Sequence, residues 1–331
     1  MVWTGSIVIG APAPPSGPLN GPNVAFYPSG STYYVTDPTT NSVYVVKNSG
    51  IIAGPLAVGN NPGPIVINPV SPYTLFVGNT ADSTFNTINP ATNAIAGPHA
   101  LAEPPYGLTT FFIGPSVHYY AFVAMNVAGH SALIAEATPF GVTAKTVGAP
   151  GVGAAWVGSN LHTGVELFVT DFTDGEVFVL TVAPGSYPPT LTAAATVTGF
   201  SSPWGAVSGD PAGIYSVYVA NSGSNTVSVV SLVTNAVTAT ITVGNAPMGI
   251  AIVQVGATWC LYVANYTDGT VSVINAATNA VIATIAVGHG PVGVTAGSTG
   301  GSPEIAVCNA TDRTVTFINP ATNTVTATVS L

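Results

Sequence analysis

The chain has 331 residues, of which 47% are apolar and only 5% charged, where roughly 25% charged is usual for soluble domains. Its 12 acidic residues face three basic ones, Lys47, Lys145 and Arg313, which excludes an electrostatic nucleic-acid binder and a cationic membrane-surface helix. No run reaches the ~18 uninterrupted apolar residues of a spanning helix, so no membrane insertion is expected, and the mean hydropathy of +0.51 reflects missing charge.

The first 18 residues read as an arm. Met1–Gly5 has neither a basic region nor an apolar run, so no secretory signal is visible in this numbering. Ser6–Gly10 reads as a strand, and Ala11–Pro18 as a Pro-rich, semi-rigid spacer. This arm is expected to add a fifth strand to the outer edge of a blade, beside the C-terminus or on a neighbouring subunit.

From residue 19 to 331 the chain is repetitive. Asn23–Pro28 reads as an innermost strand. Second strands follow at Tyr33–Asp37, Leu75–Asn79, Tyr120–Met125 and Leu167–Asp171. Val219-Ala220-Asn221 then returns as Val263-Ala264-Asn265 and Val307-Cys308-Asn309, a step of 265 − 221 = 44 and 309 − 265 = 44. Thr226-Val227-Ser228-Val229 returns at the same step as Thr270-Val271-Ser272-Val273 and Thr314-Val315-Thr316-Phe317. Pro-x-Gly opens the inner strands at Pro105, Pro203, Pro247 and Pro291, and Val237–Val243 with its equivalents forms the outermost. A period in the forties built of short β-branched strands predicts an all-β, seven-bladed β-propeller of four-stranded antiparallel blades.

These residues resemble the YVTN-repeat β-propeller family, known from archaeal and bacterial surface-layer proteins. The match is closest over 261–294, where Leu261–Asn265, Thr270–Asn275 and Pro291–Val294 follow the family pattern. It weakens in the third and fourth repeats, where Met125 or Asp171 stands at the motif asparagine.

The motif residues Asp37, Asn79, Asp171, Asn221, Asn265 and Asn309 read as turn formers whose side chains accept the main-chain N–H two residues on. Four positions later stand Asn41, Ser83, Gly175, Asn225, Gly269 and Arg313; four of these six are Gly or Asn, which tolerate positive φ. Asn265-Tyr266-Thr267 and Asn309-Ala310-Thr311 also satisfy the N-glycosylation pattern.

Little else carries chemistry. Asp171, Asp174 and Glu176 could be read as a calcium loop, but equivalent turns carry one acid each, where turns ordinarily favour acids. The five histidines (His99, His118, His130, His162, His289) lack ligand spacing and read as loop residues. Cys260 and Cys308 fall at different levels of their strands and read as buried, reduced thiols. No catalytic residue, metal or cofactor is expected.

Low charge density suits acidic surroundings, because formal charge swings only from about −9 to about +8 on full protonation. With the surface-layer resemblance and a hydroxyl- and amide-rich surface, it points to a non-enzymatic structural or adhesion protein. Such a protein would be displayed outside the cell, on an envelope, an extracellular filament or a virus particle. Its partners would be proteins of a larger assembly, copies of itself, or glycans. The alternative is a small-ligand-binding or lyase/lactonase-type propeller using the central channel. Inner strands of that kind need acids or histidines, and Gly249–Val253 and Gly293–Ala296 carry neither.

Overall fold

The computed structural model describes residues 8–9, 23–68, 71, 73–101, 104–113, 118–125, 131–138, 141–148, 154–160, 165–183, 190–209, 211, 215–299 and 301–331. A short strand, β1 (Val8–Ile9), comes first. Each later sheet is one contiguous stretch of chain, its strands paired antiparallel in sequence order. The first comprises Val24–Tyr27, Thr32–Asp37, Ser42–Lys47 and Gly50–Ala57 (β2–β5), and the second Pro62–Ile67, Leu75–Asn79, Thr84–Asn89 and Ala94–Ala100 (β6–β9). Next come Pro105–Ile113, His118–Met125, Ser131–Thr138 and Gly141–Gly148 (β10–β13), then Ala154–Asn160, Val165–Asp171, Glu176–Ala183 and Thr190–Thr198 (β14–β17). Pro203–Gly209, Ser216–Asn221, Thr226–Ser231 and Ala236–Thr242 (β18–β21) precede Pro247–Val255, Thr258–Asn265, Thr270–Asn275 and Ala280–Ala286 (β22–β25). Pro291–Thr299, Ser302–Asn309, Thr314–Asn319 and Thr324–Ser330 (β26–β29) complete the molecule.

This is an all-β propeller with four-stranded antiparallel blades. The repeat predicts seven such blades; the structure has six four-stranded sheets and one five-stranded sheet, in which β1 joins β10–β13. Val8 pairs with Leu108 and Ile9 with Gly107, so β1 lies on the inner edge of that sheet. It also touches the inner strands β6, β14, β18, β22 and β26, which places it inside the ring. The arm therefore adds its strand to an inner edge, correcting the expected outer one.

Burial follows strand position. The second strands β3, β7 and β19 are buried along their whole length, because both faces meet a neighbouring sheet. That is why they read as continuous Tyr-Val-Ala runs. Trp204, Tyr218, Val227 and Val229 of one sheet pack against Ile250, Leu261 and Val263 of the next. Each fully buried side chain of this kind contributes about 1.5–3 kcal/mol.

Outer strands are largely exposed and uncharged, so their unpaired edges need protection from pairing with other chains. Register shifts supply it. Val229 faces Ala239 while Val230 faces Val237, leaving Thr238 as an extra residue in β21. Ile282 in β25, Thr326 in β29 and Ala194 in β17 are extra in the same way. β5 and β9 are also bulged, and carry Pro55 and Pro98, which lack an N–H to offer. β13 runs against β12 without a shift, and it is the outer strand that carries Lys145.

The first and last sheets adjoin without exchanging a strand. Phe26, Tyr33 and Val35 pack on Ala306, Cys308 and Phe317, with the Tyr33 and Phe317 ring centroids 5.3 Å apart. Glu304, buried at this seam, accepts hydrogen bonds from Tyr33 Oη at 3.2 Å and Asn48 Nδ2 at 3.0 Å.

Candidate functional site

The motif residues end their second strands on one face of the propeller, and they divide by chemistry. Asp37 and Asp171 accept the main-chain N–H two residues on, from Thr39 at 3.0 Å and Thr173 at 2.9 Å. The asparagines do something else. Asn221 Nδ2 donates to Thr226 Oγ1 at 3.1 Å and Ser228 Oγ at 2.9 Å, reaching across to the third strand. Asn265 does the same with Thr270 and Ser272, and Asn309 with Thr314 and Thr316. Asn79 binds Thr84 Oγ1 and Asn86 Oδ1. The two aspartates thus make the turn bond, and the four asparagines make a cross-strand clamp. A carboxylate can only accept, whereas an amide can donate to hydroxyls five and seven positions on. A signal for this was present in sequence. Asn79, Asn221, Asn265 and Asn309 have Thr at the fifth position and Asn, Ser or Thr at the seventh, whereas Asp37 and Asp171 have Tyr44 and Phe178 at the seventh.

Asn265 and Asn309 are fully buried, with Nδ2 engaged in these bonds. As folded, both nitrogens are held in these bonds.

The six turn residues four positions on all have positive φ: Asn41 (53°), Ser83 (51°), Gly175 (69°), Asn225 (59°), Gly269 (65°) and Arg313 (52°). The side chains of Asn41, Asn225 and Arg313 tie neighbouring sheets. Asn225 Oδ1 accepts Ala246 N–H at 2.9 Å, and Asn225 Nδ2 donates to Asn245 Oδ1 at 3.0 Å. Asn41 holds Asn61 and Asn60 in the same manner. Arg313 instead reaches the buried Asp37 across the seam.

A second tie runs within three of the sheets. The loop residues Asn60, Asn245 and His289 each donate a main-chain N–H to the aspartate of the following turn, namely Asp82, Asp268 and Asp312. Side chains of the same three residues reach the same carboxylates, Asn245 Nδ2 at 2.8 Å and His289 Nδ1 at 3.0 Å. These bonds, the main-chain one foremost, hold all three carboxyls below the ordinary value. Burial alone would raise Asp37, but hydrogen bonds from Thr40, Arg313 and Thr39, with the Arg313 charge, overcome it and lower its carboxyl too.

Between the β18–β21 and β22–β25 sheets this face opens into a groove of about 620 Å³, lined by Thr242, Val243, Gly244, Asp268, Thr270, Ser272, Val281 and Thr284. Its floor is shaped by glycine. A Cβ on Gly244 would lie 2.6 Å from Asn265 Cγ and 2.7 Å from Asp268 Oδ2, so only glycine lets the loop pass this close. The groove combines four hydroxyls, one carboxylate and two valines. Sequence reading missed it, because its residues come from two sheets and gather only in three dimensions.

Other expected sites stay dispersed. Asp171 Oδ1 accepts N–H bonds from Thr173 and Asp174, and no group of three metal-ligating side chains exists among the described residues. His99 lies half-buried in β9 against Phe85, a strand position where a loop was expected, and its Nε2 is buried without a partner. His289 is exposed beside Asp312. His118 falls in β11, and His130 and His162 lie outside the described residues. Cys260 and Cys308 are free and buried, and burial pushes both thiols up.

No family model matches the chain, and no curated protein sequence does. Solved structures do. A catalytically inactive form of virginiamycin B lyase from Staphylococcus aureus with quinupristin has a TM-score of 0.63 at 14% identity, over 87% of this chain and 92% of that one. A functionally unknown protein from Desulfotomaculum acetoxidans DSM 771 reaches 0.70 at 13% identity, over 90% and 94%. Dihydro-heme d1 dehydrogenase NirN in complex with DHE reaches 0.62 at 12% identity, over 98% and 72%. These likenesses correct the structural and adhesion reading: the propellers of named activity among them are enzymes that meet small molecules. At such identities they establish the fold and transfer no activity.

Proposed function

We propose that the chain is a small-ligand-binding propeller whose ligand occupies the groove between the β18–β21 and β22–β25 sheets, and that it is not itself a catalyst. The groove carries this reading. Its volume of about 620 Å³ falls within the 300–1,000 Å³ usual for ligand sites. Its polar groups are fixed in place: Asp268 by Asn245, and Thr270 and Ser272 by Asn265. The groove is favoured over the central channel because β1 lies inside the ring. It holds one carboxylate and no second acid or base, which suits binding better than proton transfer.

Screening small polar molecules by ligand-observed NMR tests this. Binding that is lost in Asp268→Asn and Ser272→Ala but kept in Asp82→Asn supports the reading; binding indifferent to all three substitutions overturns it. A lyase-type activity is the second reading, favoured by the fold likeness to virginiamycin B lyase. Disappearance of intact quinupristin on incubation with the chain, followed by mass spectrometry, would establish it.

The five-stranded sheet is read as one more blade, which makes seven, and the repeat as YVTN-type. What supports the count is that inner strands β2, β6, β10, β14, β18, β22 and β26 adjoin one another in that order and β26 returns to β2.

A further inference from the structure

Resting on the small-ligand reading, we infer that the groove selects a ligand bearing a protonated amine flanked by hydroxyl or ether oxygens, of the amino-sugar class. The polarity of its walls points there. Asp268 Oδ2 accepts Asn245 N–H at 2.7 Å and Oδ1 accepts Asn245 Nδ2 at 2.8 Å. Each oxygen keeps acceptor capacity for one more donor. No lysine or arginine lines the groove, so a cationic group of a ligand would meet no competing protein cation at Asp268. Thr270 and Ser272 receive hydrogen bonds from Asn265 Nδ2 at 3.0 and 2.9 Å, which leaves their own O–H groups to donate. Cation-seeking acceptor and oxygen-seeking donors thus stand two and four residues apart in one wall. Val281 and Val243 offer an apolar surface to a ring face. An anionic ligand would meet both Asp268 and a net charge of −9.

Neighbouring junctions lack this combination. Ser224 stands where the repeat places Asp268, since 268 − 44 = 224. Asp312 already faces the His289 ring, with both oxygens 3.0 Å from Nδ1. Asn86 stands where Ser272 would be, and it spends its amide on Gly59 N–H, Asn79 Nδ2 and the Ala96 carbonyl. Of the four sheets with a motif asparagine, only β22–β25 pairs a carboxylate free of a histidine with two hydroxyls that both accept from that asparagine.

A matched set of disaccharides tests the assignment: the glucosamine dimer, cellobiose and cellobionate, titrated into the full chain at pH 5.5. Affinity comes from calorimetry and location from amide NMR shifts at 242–245, 268–272 and 281–284. The glucosamine dimer is expected to bind at least tenfold tighter than cellobiose, the scale of a charge-assisted hydrogen bond, and cellobionate weakest. Asp268→Asn should abolish the tenfold preference, whereas Asp312→Asn, which removes the same loop tie next door, should keep it. Raising the pH to 9 should erase the preference in the unaltered protein by neutralising the amine. Cellobiose binding in the groove as tightly as the amine would overturn the amine assignment and leave the ligand groove standing. Silence of the groove toward all three would overturn both.

Discussion

Asp37 and Arg313 lie 276 residues apart in the chain and form an ion pair across the junction of the first and last sheets. The Asp37 side chain is 3% exposed and that of Arg313 38%. The seam therefore carries a charge pair where other junctions carry Asn41 or Asn225. Arg313→Ala leaves Asp37 buried with only its turn hydrogen bonds and should cost about 1–3 kcal/mol, read from urea unfolding at pH 7. Asp37 has its carboxyl lowered in the fold, so its contribution is present above the ordinary 3.8 and disappears as pH falls through the folded value. The difference between Arg313→Ala and the parent should therefore shrink as pH falls below 3.8.

The same sign applies to Asp82, Asp268 and Asp312, all lowered chiefly by main-chain hydrogen bonds. The Arg313 charge adds to the lowering of Asp37, and that of His289 to the lowering of Asp312. Melting temperature should stay flat from pH 7 down to about 4 and decline only below it. A cooperative loss of β-sheet circular dichroism between pH 5 and 4 would contradict this.

Gly288 approaches Asn309 as Gly244 approaches Asn265, with an added Cβ 2.7 Å from Asn309 Cγ. Gly288→Ala should destabilise by about 1–3 kcal/mol through overpacking. Asn309→Ala in the same chain should recover part of that loss, giving a double-mutant coupling of about 1 kcal/mol. Gly301→Ala, whose Cβ meets nothing within 4 Å, costs only the strain of its φ of +85° and should show no coupling to Asn309.

Tyr262 Oη donates to Asn323 Oδ1 at 2.7 Å and Pro320 O at 3.4 Å in the next sheet, and Tyr34 likewise reaches Asn93 and Pro90. Burial pushes the phenols of Tyr34 and Tyr218 up to about 12. Tyr262→Phe should cost about 1–2 kcal/mol by stranding the Asn323 acceptor. Tyr218, whose hydroxyl reaches Ala276 O at a long 3.5 Å, should lose less on the same change. Thermal unfolding of the two variants side by side measures the difference.

The fold was legible because one blade needs one sheet, and the 44-residue step between Asn221, Asn265 and Asn309 writes that sheet three times over. Positive φ at Asn41, Asn225 and Gly269 was legible for the same local reason. What escaped was non-local. The Gly244–Asn265 and Asn245–Asp268 contacts join residues 21 and 23 positions apart, across a loop whose path the strand pattern does not dictate. The bulges at Thr238 and Ile282 escaped as well, since an extra residue in an alternating Thr-Ala-Ile run leaves the composition unchanged.

Apart from β1, which joins β10–β13 from the N-terminal end, the sheets are built from consecutive strands; even at the seam, β2–β5 and β26–β29 are each continuous. Nearly all main-chain pairing is therefore between residues within a few tens of positions, which keeps contact order low for an all-β protein. A ribosome can finish one blade's hydrogen bonding before the next emerges, and nothing made early waits for the last residues except the seam. The cut between first and last blade is then one junction among equivalents. Joining the ends through the arm and opening the chain at another loop, for instance between Gly244 and Asn245, would move that cut without unpairing a strand.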